Sequence, residues 1–215
     1  KDFLGELVLS ELDLDGKTSF VVNSGSTLNI SDIKLKGNET VITNNGGNLN
    51  FVNNNVIDGK ITGTTATNTG ILEIDANNLD VALINNGTLN LGAGDIEKEI
   101  TGNGSTNILD VVKNNAEISQ KVNVNSSGEL TVGANIGDLT NNGEVVANAS
   151  NLTGTINNSG TLNLSGILDK EISGLGATKV VGDSFTMLDG AVVKGVLDTN
   201  SQTLNVLATN TKNMF

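Results

Sequence analysis

The chain has 215 residues, enough to bury a sizeable core, but only 2% are aromatic, with five Phe and no Trp or Tyr. Val, Leu and Ile must therefore build the interior, at roughly 1.5 to 3 kcal/mol per buried side chain, which favours many small equivalent layers over one globular centre. A formal charge of −12, with all twelve basic residues Lys, argues against nucleic acid and anionic membrane surfaces as partners, and the lack of His and Cys excludes Ser-His-Asp and Cys-His machinery.

No run approaches the roughly 18 apolar residues of a membrane helix, and the absence of cysteine leaves the redox compartment open. The chain opens on Lys1, which agrees with a fragment or a processed product. Early in the chain, "ELDLDG" at Glu11 to Gly16 looks like a calcium loop, but it lacks the acidic order and downstream Glu of an EF-hand. Asp13 and Asp15 are accordingly expected in an ordinary strand start.

From residue 23 onward a phrase of turn followed by alternation recurs. It reads "NSGSTLNI" around Leu28, "NNGGNLNF" around Leu49, "NTGILEI" around Leu72, "NNGTLNL" around Leu89 and "GSTNILDV" around Leu109. It continues as "SSGELTV" around Leu130, "NNGEVVA" around Val145, "NSGTLNL" around Leu162 and, after a less regular passage, "NSQTLNV" around Leu204. The first eight copies are 15 to 23 residues apart, which suits a coil of constant cross-section with variable loops. Within each copy, alternate residues point to opposite faces. In "INNSGTLNLSG" (156–166), Leu162 and Leu164 are expected inside, Thr161 and Asn163 outside, and Asn157, Asn158 and Gly160 at the corner. Asn and Gly tolerate the left-handed conformations that such corners use.

A second apolar element follows in "VIDGKITG" (56–63), "DIEKEITG" (95–102) and "LDKEISG" (168–174). The apolar pairs four residues apart allow either a short helical turn or two very short strands meeting at a bend. Flanking Gly and β-branched residues favour the bend. A third element appears in "NLDVALI" (78–84), "QKVNV" (120–124) and "NLTGTI" (151–156). Two or three short strands per turn of about 20 residues, without helices, describe an all-β, single-stranded right-handed parallel β-helix. Asn and Ser-Gly turns also end hairpins, so a sandwich or propeller is the competing architecture. Asn at equivalent corners can stack into ladders, and open ends would expose strand edges, as in an interior slice of a longer coil.

The Asn/Gly/Thr-rich imperfect repeats resemble the passenger regions of Gram-negative type V autotransporters. The last stretch, "KVVGDSFTMLDGAVVKGVLDTNSQTLNVL" (179–207), looks like the terminal rungs that precede the membrane barrel. The resemblance implies rungs over 1–178 and a terminal unit over 179–215. It also implies a cell-surface (outer-membrane) or secreted location, with membrane attachment only through a barrel that this sequence does not contain. The implied work is that of an adhesin or stalk, with a host-cell or neighbouring-cell receptor or glycan as partner.

The same scaffold also hosts polysaccharide lyases and hydrolases, which makes a carbohydrate-active enzyme the alternative. Lyases of that class use Arg or Lys with clustered Asp, and the chain has neither Arg nor such a cluster. Hydrolysis needs two carboxyl groups roughly 5 to 9.5 Å apart, for which Asp95, Glu97 and Glu99, or Asp169 and Glu171, have suitable spacing. Solvated faces account for these acids more simply, so no catalytic residue, cofactor or metal ligand is assigned. Asn86 and Asn103 head Asn-x-Ser/Thr strings that would accept glycans in a eukaryotic secretory route. Thr does not recur as the regular Thr-x-Thr rank of an ice-binding face. Functional residues are expected where the repeat breaks, at 97–104 and 183–195.

Overall fold

The computed structural model describes residues 6–10, 13–15, 19–36 and 39–207. The chain winds as a parallel β-solenoid of about 11 turns, with about 17 residues per turn. Three parallel sheets of 8, 11 and 8 strands form its walls and are called the first, second and third sheets below. Early turns are longer than late ones. Stacked Asn29 and Asn50 are 21 residues apart, Asn90 and Asn107 are 17 apart, and Asn107 and Asn123 are 16 apart.

The turn length falls because the first sheet contracts. After Glu6–Ser10, which pairs with Thr27–Ser31, it has two strands per turn, Ser19–Asn23 with Thr27–Ser31, followed by Val41–Asn45 with Asn48–Val52. The long strand Lys60–Asn68 merges them, its start pairing with Val41–Asn45 and its end with Asn48–Val52. Further along, the sheet narrows to Ile100–Thr101 and then to single bridges through Ile118, Ile136 and Leu152. As it shrinks, the third sheet opens at Gly94–Ile96 and takes over as the second long wall.

Alternation decides which residues are buried. Leu28, Leu49, Leu89, Leu130, Leu162 and Leu164 are all buried, whereas Thr161 and Asn163 face outward and are partly covered by neighbouring rungs. The apolar pairs of the second element mark two short strands meeting at a bend. Ile57 and Ile61, Ile96 and Ile100, and Leu168 and Ile172 all point inward across tight corners. Among the described residues, the interior is a stack of aliphatic layers with two fully buried aromatics, Phe51 and Phe185. Packing at crystal-like density suits such uniform small side chains.

The repeated phrase does not form one column. Leu28 stacks on Leu49 in the first sheet, Leu72 on Leu89 in the second, and Leu130, Val145 and Leu162 in succession in the third. Leu89 is followed by buried Thr106, while Leu109 lies outside strand Ser105–Ile108 and is half exposed. Leu204 opposes Phe185. A turn followed by an alternating strand can be placed at any corner, whereas pairing with the rung below decides which corner it becomes.

Glycine in the repeat has a different role from the expected one. Gly70, Gly87 and Gly104 stack in one file, and Gly128, Gly143, Gly160, Gly176 and Gly195 in another. A Cβ on Gly87, Gly143 or Gly160 would stand 2.1 to 2.2 Å from the carbonyl oxygen of the glycine one rung below. None of these three residues has a positive φ. Each carbonyl accepts from the N–H just after the next glycine, as in Thr88 N to Gly70 O at 2.8 Å and Thr161 N to Gly143 O at 2.9 Å. Close approach of main chains, rather than left-handed backbone, therefore fixes glycine at these corners.

Strand Ala177–Leu188 spans residues 178 and 179, and the third sheet continues through it to Val196–Asp198 and Thr203–Leu207. These last two strands carry no buried residue, and Val196 and Leu207 are largely exposed.

Candidate functional site

The corner asparagines set the geometry of the outer surface. Asn68, Asn85, Asn141 and Asn158 are fully buried, although the residue after each is polar. In the first three, the side-chain oxygen accepts from the N–H of the glycine two residues on, at 3.0 to 3.2 Å. The amide nitrogens donate across rungs, Asn68 to Asn85 at 2.8 Å and Asn141 to Asn158 at 2.9 Å. Asn85 also meets Gln120, whose oxygen accepts from Asn85 Nδ2 at 2.9 Å and from Thr106 Oγ1 at 2.7 Å, while its nitrogen donates to the Asn85 and Gly104 carbonyls. Buried amides of this kind are retained because every donor and acceptor is satisfied.

Outside, a second amide ladder runs along the second sheet. Asn107 donates to Asn90 at 2.8 Å and Asn123 to Asn107 at 2.9 Å. The same outward position is held by Glu73 before this ladder and by Thr140, Asn157 and Ser173 after it. The result is a narrow polar row parallel to the coil axis, with one side chain per rung and a spacing of about 4.8 Å.

Grooves interrupt the walls, two of them larger than the hollow of about 100 Å³ beside Asp58, Glu73 and Asp75. The first, of about 290 Å³, lies where the third sheet opens and is lined by Lys60, Ala76, Asn77, Asp80, Asp95 and Glu97, among others. Asp80 bridges Lys60 at 3.1 Å and Lys98 at 3.7 Å, and Asn77 Oδ1 accepts from the Asp95 N–H at 2.9 Å. Glu97 accepts from Asn115 Nδ2, whereas Glu99 is exposed and does not line the groove. The structure thus brings together two of the three acids singled out there and adds Asp80 and Lys60. The available signal was a pair of opposite charges about one turn apart.

The second groove, of about 330 Å³, lies beside the longer glycine file and is flanked by Glu129 and Glu144. These two residues are Cα partners on adjacent rungs of the third sheet, and Glu144 accepts from Asn163 Nδ2 at 2.8 Å. Like charges directly opposed across a ladder are destabilising, which singles the pair out. Its signal in the sequence is the Gly-Glu shared by "SSGELTV" and "NNGEVVA", which alternation alone does not set apart from other outward-facing acids.

The remaining candidates are dispersed. Asp169 is 3.9 Å from Lys170, while Glu171 pairs with Lys194 at 2.7 Å. Asp13 and Asp15 lie in strand Asp13–Asp15 opposite Lys34 and Lys36, as expected of a strand start; Glu11 and Gly16 lie outside the described residues, as do the two aspartate side chains. Asn86 and Asn103 are exposed on adjacent turns, with the Asn103 N–H donating to Asn86 Oδ1. Of the 183–195 passage, the Asp183 and Ser184 side chains lie outside the described set. Among the described residues, no three Asp, Glu, His or Cys side chains are grouped to hold a metal ion.

Two carboxyl groups are held below their ordinary range. Asn53 and Ser31 donate to Asp32, and the Thr155 N–H and hydroxyl both donate to Asp138 at 2.8 Å. Hydrogen bonds to the ionised form have this effect, which is opposite to what a general acid in glycoside hydrolysis needs. Comparison of the chain with protein-family models, curated proteins and solved structures gives no match.

Proposed function

We propose that the chain is a non-catalytic scaffold, a rod of the adhesin or stalk type from a secreted or surface-displayed passenger region. The observation that carries this reading is the polar row of the second sheet, which presents Asn90, Asn107 and Asn123 as a hydrogen-bonded ladder at one fixed spacing. A ladder of satisfied amides gives a stiff, hydrated wall suited to projection. Its remaining donors and acceptors suit weak, repeated contact with a receptor or glycan on another cell. The test is binding of the purified chain, displayed on beads, to host and bacterial cells, compared with an acidic β-rich protein of matched charge. Retention above that control, reduced by Asn107→Asp, supports adhesion; retention equal to the control leaves the stalk role alone.

A second reading, a carbohydrate-active enzyme, draws on the stacked Glu129 and Glu144 beside their groove. Adjacent rungs place their Cα atoms about 4.8 Å apart, so the two outward side chains stand side by side, and retaining glycosidases work with two carboxyl groups held close together, about 5 to 5.5 Å apart. Release of reducing ends from a polysaccharide panel, abolished by Glu129→Gln and by Glu144→Gln, would establish it. Absence of release across the panel would dismiss it.

A further inference from the structure

The chain contains four Asn-Gly steps, at Asn45, Asn86, Asn103 and Asn142, and all four asparagines are exposed. Such steps can convert without an enzyme. The glycine nitrogen, losing its proton, attacks the asparagine Cγ; the new N–Cγ bond closes a succinimide as the Cγ–Nδ2 bond breaks and ammonia leaves. Water then opens the ring. Cleavage of N–Cγ yields Asp, and cleavage of the bond to the main-chain carbonyl carbon yields isoaspartate, with no change of oxidation state. Ring closure requires the glycine nitrogen to swing toward the side chain, so the freedom of the glycine governs the rate.

Three of the four glycines are pinned. Gly87 N donates to Asn85 Oδ1 at 3.2 Å, Gly104 N to Asn85 O at 2.9 Å and Gly143 N to Asn141 Oδ1 at 3.0 Å. All three also belong to the glycine files, with main-chain oxygen of the rung below 2.1 to 2.2 Å from the Cβ position. Gly46 differs. It has φ +89, nothing stands within 4 Å of its Cβ position, and it touches the earlier turn through a single antiparallel bridge to Asn23. The extra residue in "NNGG" accounts for this, because the buried Asn44 clamps Gly47 instead, accepting from Gly47 N at 2.8 Å.

We infer that Asn45 is the site of spontaneous deamidation and isoaspartate formation in the folded protein, and that the stacked corners protect Asn86, Asn103 and Asn142. The product carries a consequence for the coil. An isoaspartyl link adds a methylene to the main chain directly after Asn44, whose amide nitrogen donates to Gly47 O and Thr65 O and so ties this corner to strand Lys60–Asn68. Conversion adds a negative charge and loosens that corner.

The test is peptide mapping by mass spectrometry after incubation at mildly alkaline pH in isotope-labelled water, with the folded chain and the chain in urea side by side. The tryptic peptide 37–60 reports Asn45. Asn45 is expected to convert about tenfold or more faster than the other three in the folded chain, because the space around Gly46 is open where the stacked corners clamp Gly87, Gly104 and Gly143 and a difference of about 1.4 kcal/mol in barrier suffices for that ratio, and at a similar rate to them in urea. Equal rates in the folded chain overturn the inference. So does a preference for Asn45 that is the same in urea, because sequence rather than fold would then be its cause.

Discussion

Thr178 continues the Leu162 column in the third sheet, is fully buried, and has a hydroxyl without a hydrogen-bond partner. Burying such a group costs about 1 to 3 kcal/mol. Thr178→Val, which keeps the shape, is therefore expected to stabilise the protein by about 1 kcal/mol, read as a higher urea midpoint with an unchanged slope. The buried corner amides behave in the opposite way. Asn85→Ala removes the acceptor for Gly87 N and Asn68 Nδ2 and the donor to Ser105 O. A loss of about 3 kcal/mol follows from groups left unsatisfied, and denaturation of this variant beside the exposed Asn86→Ala separates the clamp from composition. Asp138 supplies a pH test. Its carboxyl is held low by two hydrogen bonds from Thr155, so its contribution is present above the unfolded value, about 4, and is lost as pH falls through the folded one. Asp138→Asn should lower stability at neutral pH and flatten its decline in acid; an unchanged acid limb would count against this assignment.

At the scale of the element, the two kinds of glycine make distinct predictions. Gly143→Ala drives a Cβ to 2.2 Å from Gly128 O and 2.3 Å from Asn125 O, and rungs cannot part without breaking the ladder. A cost of about 3 kcal/mol or more is expected. Gly46→Ala meets open space and bears only its left-handed backbone, at about 1 to 2 kcal/mol. Equal costs in thermal melts would remove close stacking as the reason for the glycine files. The alternation that defined each strand was legible because period two is a local property, visible in Thr161-Leu162-Asn163-Leu164. The assignment of each copy to a wall was not, since Leu49 and Leu72 share the same phrase yet stand in different sheets.

Across the whole molecule, charge opposes compaction. Twelve lysines face twenty-four acids, and Lys60, Lys98 and Lys194 are spent in half-exposed ion pairs that contribute at most about 1 kcal/mol each. Self-repulsion exceeds what such pairs return. The melting temperature is accordingly expected to rise as sodium chloride screens the surface; a fall would mean that the ion pairs dominate.

The coil itself follows from the sequence. An aliphatic alphabet with alternation and turn residues at intervals near one turn leaves a thin stack as the way to bury Val, Leu and Ile, and that inference needs only local periods. The tertiary structure decided where each corner falls, because pairing with the rung below sets register and register has no local signature. It turned the glycines from flexible joints into points of main-chain contact. It also placed Glu129 against Glu144 and left Gly46 outside the files that hold Gly87, Gly104 and Gly143. Distances between successive turns create these differences, and residues that read alike in the chain acquire them only when the coil closes.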